Sequence, residues 1–315
     1  MSKQADMASG QAVFGPVPSR RLGLSLGVDL LWPKTCSQDC LYCELGPTSN
    51  LTTRRGVFRD AQEVLARVEA RLAELAQPPD FITLAGSGEP TLHQDLGRVL
   101  AALKDMSPAR LAVLTNSTLL TDPAVRAELA PADVIVPSLD AVSQPVFERL
   151  NRPAPGLIIE EIIEGLLELR REFGGDLWLE VLLVAGVNDD PAELAGLAAA
   201  ASRIGPDLVQ LNTVVRPPAV TGTRPLEPGR LAEIARLFSL PVQVTAPPGA
   251  RSAGDRGRLG RQVVETTRRR PCTLADVAAM TGLSRGQALA LVQELLAAGR
   301  LAAEPFDDEV YYRGQ

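Results

Sequence analysis

From residue 22 to about 245 the chain alternates short, β-rich apolar runs with longer stretches in which apolar positions recur at helical spacing. The predicted strands are residues 22–31, 80–86, 110–116, 133–139, 177–186, 207–215 and 241–246. Most are near-continuous apolar runs, the pattern of parallel strands covered on both faces. The predicted helices between them carry start signals. Asp60 precedes Glu63 at capping-box spacing, and Val64, Val68, Leu72 and Leu75 follow on one face. Asp122-Pro123 and Asp190-Pro191 each set a capping carboxylate ahead of a proline suited to a first turn. Repeated strand–helix units imply right-handed βαβ crossovers and a parallel sheet. Periodicity alone leaves an incomplete β/α barrel and a doubly wound open sheet both open.

Residues 247–258 (PPGARSAGDRGR) read as a linker. Beyond it, three short helical patterns predict a helix-turn-helix around Gly282, and two short strands follow around an acidic turn. The expected organisation is an α/β domain over 1–246, the linker 247–258, and a winged-helix-like domain over 259–315.

Composition narrows the classes. Of 315 residues 45% are hydrophobic and 22% charged, which excludes a disordered chain. No secretory signal opens the sequence and no apolar run is long enough to span a membrane, so a cytoplasmic location is expected. The net charge of −6 divides into −8 for residues 1–250 and +2 for the remainder, giving no global field for nucleic acid. Lysine occurs only at 3, 34 and 104, and the arginine bias that results follows as readily from base composition as from phosphate recognition.

Three of the four cysteines fall within eight residues, Cys36, Cys40 and Cys43, with the spacing C-x3-C-x2-C in the loop after the first predicted strand. That loop lies at the ligand-binding end of a parallel β/α fold. Iron–sulfur clusters usually take one thiolate per iron. Three thiolates leave one iron open to an outside ligand. The competing reading, a structural zinc, needs a fourth protein ligand, and only the distant Cys272 or His93 could supply it. His93 alternatively belongs to a helix first turn, and Cys272 to a core or cap.

The cysteine spacing, with Tyr42 just before the last cysteine, resembles the signature of the radical S-adenosylmethionine (radical SAM) superfamily. The resemblance implies an incomplete (β/α)6 parallel barrel, a [4Fe–4S] cluster on Cys36, Cys40 and Cys43, and bound S-adenosyl-L-methionine. Gly86-Ser87-Gly88-Glu89-Pro90 is similar to the family's Gly-Gly-Glu-Pro motif, which holds the methionine amino group; Ser87 stands where glycine is usual. Thr115-Asn116 resembles Thr-Asn-Gly, with Ser117 in place of the glycine. Ser138 and Asp140 match positions that approach the ribose or carboxylate, and Gly186, Asn188, Leu211 and Asn212 match adenine-contacting segments. Taken singly, Thr115-Asn116 and Gly186 are also ordinary turn residues, and Glu89 also reads as a helix cap.

The segment from Phe14 to Gly23 and the run Val209–Thr213 with Arg216-Pro217-Pro218 resemble the group containing the wyosine-base-forming tRNA enzymes. That group is expected to carry further cysteines upstream of the main motif, and none precedes Cys36.

The implied activity is reductive cleavage of S-adenosylmethionine to a 5′-deoxyadenosyl radical. It requires a low-potential electron donor of flavodoxin or ferredoxin type and is destroyed by oxygen. The substrate would be tRNA or another nucleotide, with Arg20, Arg21, Arg54, Arg55, Arg149 and Arg152 as phosphate contacts or as solvated charge. Two alternatives are a redox-responsive Fe–S regulator acting through its winged helix, and an activase installing a radical on a partner protein. The recognition helix (284–299) offers only Arg285 and Gln287 near its start, and the wing carries Asp307, Asp308 and Glu309. That charge argues against DNA binding and for docking or substrate presentation.

Overall fold

The computed structural model describes residues 11–245 and 256–315 apart from residues 20, 32, 33, 76, 284 and 308. Arg20, Ser284, Asp308 and residues 247–255 of the expected linker thus lie outside the described residues.

The main sheet begins with an element the sequence pattern did not suggest, β1 (Val13–Ser19), antiparallel to β2 (Gly23–Val28). The cysteine loop follows, with β3 (Thr35–Cys36) and β4 (Asn50–Leu51) paired across it. Then come α1 (Ala61–Ala73), β5 (Phe81–Leu84), α2 (Leu96–Met106), β6 (Arg110–Thr115), α3 (Pro123–Glu128) and β7 (Val134–Pro137). After α4 (Gln144–Asn151) and α5 (Ile159–Glu172), the chain continues through β8 (Asp176–Leu183), α6 (Pro191–Ile204), β9 (Leu208–Thr213), α7 (Pro228–Ala235) and β10 (Val242–Val244).

The strand order is β1-β2-β5-β6-β7-β8-β9-β10, and every pair from β2 onward is parallel. A doubly wound sheet reverses direction at a switch point; this one never does. Right-handed crossovers in strict order put the helices on one face, leaving the other face as the lumen of a partial barrel. Strand alternation shows both faces. Ile135, Leu179, Val181, Val209 and Leu211 join the helices in the outer core. Phe81, Ala112, Val134, Val136 and Trp178 plug the lumen.

The caps read from sequence are present. Asp60 accepts from Gln62 and Glu63 N–H, Asp122 from Ala124 N–H, and Asp190 from Ala192 and Glu193 N–H.

The C-terminal unit comprises α8 (Arg256–Arg269), β11 (Cys272–Thr273), α9 (Leu274–Thr281), α10 (Arg285–Ala297), β12 (Leu301–Phe306) and β13 (Glu309–Gly314). Its sheet runs β11-β13-β12. Helix α8 starts at Arg256, inside the stretch expected to be linker. Thr273 and Asp276 form a full capping box, and Gly282 ends α9 with φ +68°. The core of this unit includes Val17 of β1, so it is continuous with the barrel.

Helix α5 packs directly on the turn after β6. A Cβ on Gly165 would lie 2.8 Å from the Leu120 carbonyl carbon. Gly165→Ala gains about 0.5–1 kcal/mol of helix propensity, but overpacking against backbone costs about 1–3 kcal/mol. The expected result is a net loss of stability despite the better helix former, measured as a lowered urea midpoint by circular dichroism.

Candidate functional site

The cysteine loop is anchored on the end of α4 and its following turn: Asp39 N–H donates to Asn151 O, Leu41 N–H to Leu150 O, and Ala154 N–H to Ser37 O. Arg152, at φ +44°, adds an ion pair to Asp39. The three thiols are half-buried. Each receives an N–H from a different residue: Asn116 Nδ2 lies 3.4 Å from Cys36 Sγ, Asn151 Nδ2 3.5 Å from Cys40 Sγ, and Lys34 Nζ 2.8 Å from Cys43 Sγ. Such donors stabilise sulfur-centred negative charge and tune clusters.

Burial is the main cause that pushes the Cys36 thiol up to about 12, followed by the charge of Glu89. Cys40 is pushed up by burial and then by its two neighbouring thiols. The raised Cys36 and Cys40 thiols are costly to ionise in this setting, a cost that a cationic centre bound to them removes. Among the described residues no group of three or more His, Cys, Asp or Glu side chains converges on a single metal ion. A cluster asks each thiolate for a different iron, whereas zinc asks for convergence. Both distant zinc candidates are also occupied. Cys272 is fully buried in the C-terminal core. The ring of His93 accepts from Asp95 N–H at Nδ1, which leaves its Nε2–H to donate to Arg59 O.

The Gly86–Pro90 loop seats against the cysteine loop. Gly88 bridges Thr35, and Glu89 N–H donates to Thr35 O. A Cβ on Gly88 would stand 1.6 Å from that carbonyl oxygen, so the position requires glycine. The Glu89 carboxylate is 2% exposed and accepts from Thr91 N–H, Thr91 Oγ1, Thr115 Oγ1 and Asn116 N–H. It therefore caps the short turn Pro90–Leu92 and ties it to the end of β6. Ser87 Oγ donates to Asp29 at 2.6 Å.

At the end of β7 the Asp140 carboxylate accepts from Tyr42 Oη, from Asn151 Nδ2 at 3.0 Å, and from Leu182 N–H at 2.9 Å. Burial pushes it up to about 6 against these donors. Asn188 is buried and structural: its amide donates to Asp140 O and Leu182 O, and its oxygen accepts from Val184 N–H. Gly186 sits on an exposed turn at φ +73°, its N–H bound to Asp189. Leu211 and Asn212 face opposite sides of β9. Strand alternation turns Leu211 outward into the helix-facing core, while its neighbour Asn212 faces the lumen.

A cavity of about 320 Å³ opens above the lumen plug, at the lower end of the size range for small-molecule sites. Tyr42, Gly86, Ser138 and Asn212 line it together with Cys43. Ser138, Asp140 and Asn116 line a smaller adjoining pocket with Asn151. Of the remaining expected residues, Ser87, Gly88, Glu89 and Asn188 line neither pocket, and Gly186 lies on its exposed turn. Of the arginines read from sequence, Arg21 reaches the cavity, paired to Glu180. Arg55 is held by Glu128, Thr91 O and His93 O, Arg149 by Val187 O and Arg152 by Asp39. Residues that the sequence reading missed include Lys34, Glu180 and a wall of Thr266, Arg269 and Arg270 from the C-terminal unit.

Residues 31–198, more than half of the chain, match the sequence profile of the Radical SAM superfamily. The chain belongs to the radical SAM superfamily. It is 32% identical over 227 residues to a UPF0026 protein of Methanocaldococcus jannaschii, covering 72% of this chain and 70% of that one. A UPF0026 protein of Synechocystis is 40% identical over 208 residues, 65% of this chain and 76% of that one. A Brachyspira hyodysenteriae protein named GTPase Obg is 31% identical over 296 residues, 93% of this chain; the chain spans only 43% of that protein. The fold is shared with a radical SAM methyltransferase from Sphaerobacter thermophilus (TM-score 0.54, 21% identity, 70% of this chain and 65% of that one). It is shared also with anSMEcpe bearing bound AdoMet (TM-score 0.52, 15% identity, 70% of this chain and 63% of that one). The protein is thus a radical SAM enzyme, of a family that uses a [4Fe–4S] cluster and S-adenosylmethionine and requires a reductant. Among the described residues no helix is long and apolar enough to cross a membrane.

In the metal-free, reduced radical SAM protein, the elevated Cys36 thiol carries about a thousandfold less thiolate at pH 8 than an ordinary cysteine. Alkylation by iodoacetamide, followed by peptide mass spectrometry, should be correspondingly slow at Cys36 and accelerate as pH rises towards 12.

Proposed function

We propose that Cys36, Cys40 and Cys43 hold the three protein-bound irons of the cluster, leaving the fourth iron for S-adenosylmethionine. The observation that carries this reading is the set of three thiols, each met by a separate N–H donor, with Cys43 lining a cavity on the sheet's lumen face. A reduced cluster held by these three thiols, with S-adenosylmethionine beside it, would supply one-electron radical chemistry for removing hydrogen from a substrate.

The chain's own residues hold and orient. Gly86 and Ser138 on the cavity wall, with Tyr42 and Asn212, are the contacts proposed for S-adenosylmethionine. Asn116 and Asp140 sit in the adjoining pocket and fix this wall: Asn116 bridges the Glu89 cap to Cys36, and Asp140 bridges Tyr42 to Asn151 beside Cys40. Ser87, Gly88, Glu89, Gly186 and Asn188 shape the loops from behind. Glu89 acts through its cap, since its carboxylate oxygens are already bound to four donors. Apolar wall residues such as Leu114, Leu182 and Val214 exclude water from the reaction.

The electron donor is proposed to be a flavodoxin or ferredoxin, and the location cytoplasmic. The C-terminal unit, with its helix–strand–helix–helix–strand–strand order, is proposed as a winged-helix-like domain following a barrel that ends near residue 246.

Anaerobic reconstitution with iron and sulfide, then dithionite and S-adenosylmethionine, should yield 5′-deoxyadenosine. A Cys36/Cys40/Cys43→Ala triple variant should yield none. Recovery of stoichiometric zinc, with no product from the wild type after reconstitution, would overturn the reading.

A further inference from the structure

The C-terminal unit lies across the open side of the barrel. On one side, Gln262 Nε2 donates to Pro16 O at 2.8 Å, Val17 enters the C-terminal core, and Arg269 pairs with the buried Asp29 while stacking 4.6 Å from the Phe14 ring centroid. On the other side, Arg216, just past β9, pairs with Glu44 at 3.0 Å and Asp276 at 3.6 Å, and Tyr311 Oη donates to Val215 O. Each clamp also touches the site. Asp29 accepts from Ser87 of the Gly86–Pro90 loop, and Glu44 directly follows Cys43. Thr266, Arg269 and Arg270 consequently form part of the cavity wall.

That wall includes buried polar atoms left without partners. Arg216 Nε and Thr266 Oγ1, in residues 3% and 1% exposed, have no hydrogen-bond partner. Both can donate, and buried donors without partners are costly. Arg216 Nε can only donate, whereas the Thr266 hydroxyl can donate or accept; the buried carbonyl oxygens without partners, Asn151 Oδ1 and Gln210 Oε1, lie outside this wall. Four guanidinium groups, Arg21, Arg216, Arg269 and Arg270, come from three separate stretches of the chain to this wall. Glu44 and Glu180 stand on it as well, with Asp29 and Asp276 paired from behind. The carboxylates hold the guanidinium groups in place, and planar guanidinium forks are matched to oxyanions.

We infer that the C-terminal unit is a working part of the reaction chamber: its helix α8, with Arg216, binds the anionic group of a small-molecule substrate, a phosphate or a carboxylate. This rests on the radical SAM reading of the same chamber and adds the substrate class. It assigns the unit to substrate binding inside the chamber, in place of DNA reading on its outer face, where Arg285 and Gln287 are exposed.

The test uses the full-length reconstituted enzyme with two probes, inorganic phosphate followed by ³¹P resonance and ¹³C-labelled acetate. Reduction makes the cluster paramagnetic, so a probe in the chamber is broadened more in the reduced than in the oxidised enzyme. Saturable, reduction-enhanced broadening of at least one probe is expected, and the responding probe distinguishes phosphate from carboxylate. Arg269→Gln and, separately, Thr266→Val should each weaken binding at least fivefold, while Arg285→Gln leaves it unchanged. Thr266→Val preserves shape and removes no existing hydrogen bond, so it remains informative if Arg269→Gln loosens the fold. Broadening of neither probe, or equal broadening in wild type, Arg269→Gln and Thr266→Val, would overturn the inference. Failure to form a cluster or 5′-deoxyadenosine would instead count against the radical SAM reading, and the anion site would still be read from the metal-free protein as broadening lost in both variants.

Discussion

A sheet wound in strict order has a lumen and, until it closes fully, an open side. Most of this protein's architecture answers that constraint. Seven parallel strands from β2 to β10 bring their C-terminal ends to one mouth, where the cysteine loop, the Gly86–Pro90 loop and the ends of β6 and β7 meet. The same winding leaves β1 and β10 as unjoined edges. Exposed edges and an open lumen are liabilities for a site that must exclude water. The C-terminal unit packs on β1 and binds the segment after β9, covering the gap from both sides.

At the mouth, polar side chains are organised around charge that burial alone would forbid. The Cys36 and Cys40 thiols, pushed upward chiefly by burial, meet N–H donors from Asn116 and Asn151, and Lys34 donates to Cys43. Glu89, also raised by burial, is met by four donors. Asp140 has three. Each of these groups lies where two loops touch, so satisfying the acid also fixes the relative position of the loops. This is how the chain orients cofactors without devoting a rigid element to each.

Much of the site was legible in the residues. The C-x3-C-x2-C spacing, the glycines of the Gly86–Pro90 loop and the Asp–Pro helix starts are local signals, carried by chemistry or backbone geometry that few other residues supply. The reading was weaker where a residue's role depends on which face it presents. Leu211 and Asn212 are neighbours in sequence, yet alternation sends one to the helix layer and the other to the lumen. Glu89 matched a ligand motif, while its carboxylate is consumed as a cap. The first edge strand went unseen because its proline- and glycine-containing stretch lacks the apolar run of the others.

The sequence by itself determined the family and the alternation of strands and helices, because these rest on motif spacing, on capping residues and on hydrophobic periodicity. Only the tertiary structure decided that the barrel is open rather than doubly wound, since strand order is a non-local property. It alone decided that Thr266, Arg269 and Arg270, about 230 residues after the first cysteine, line the same cavity as Tyr42 and Gly86. Nothing local in a helix of mixed arginines marks one face as a chamber wall. That meaning comes from the ion pairs to Asp29 and Asp276, which span the chain and exist only once it has folded.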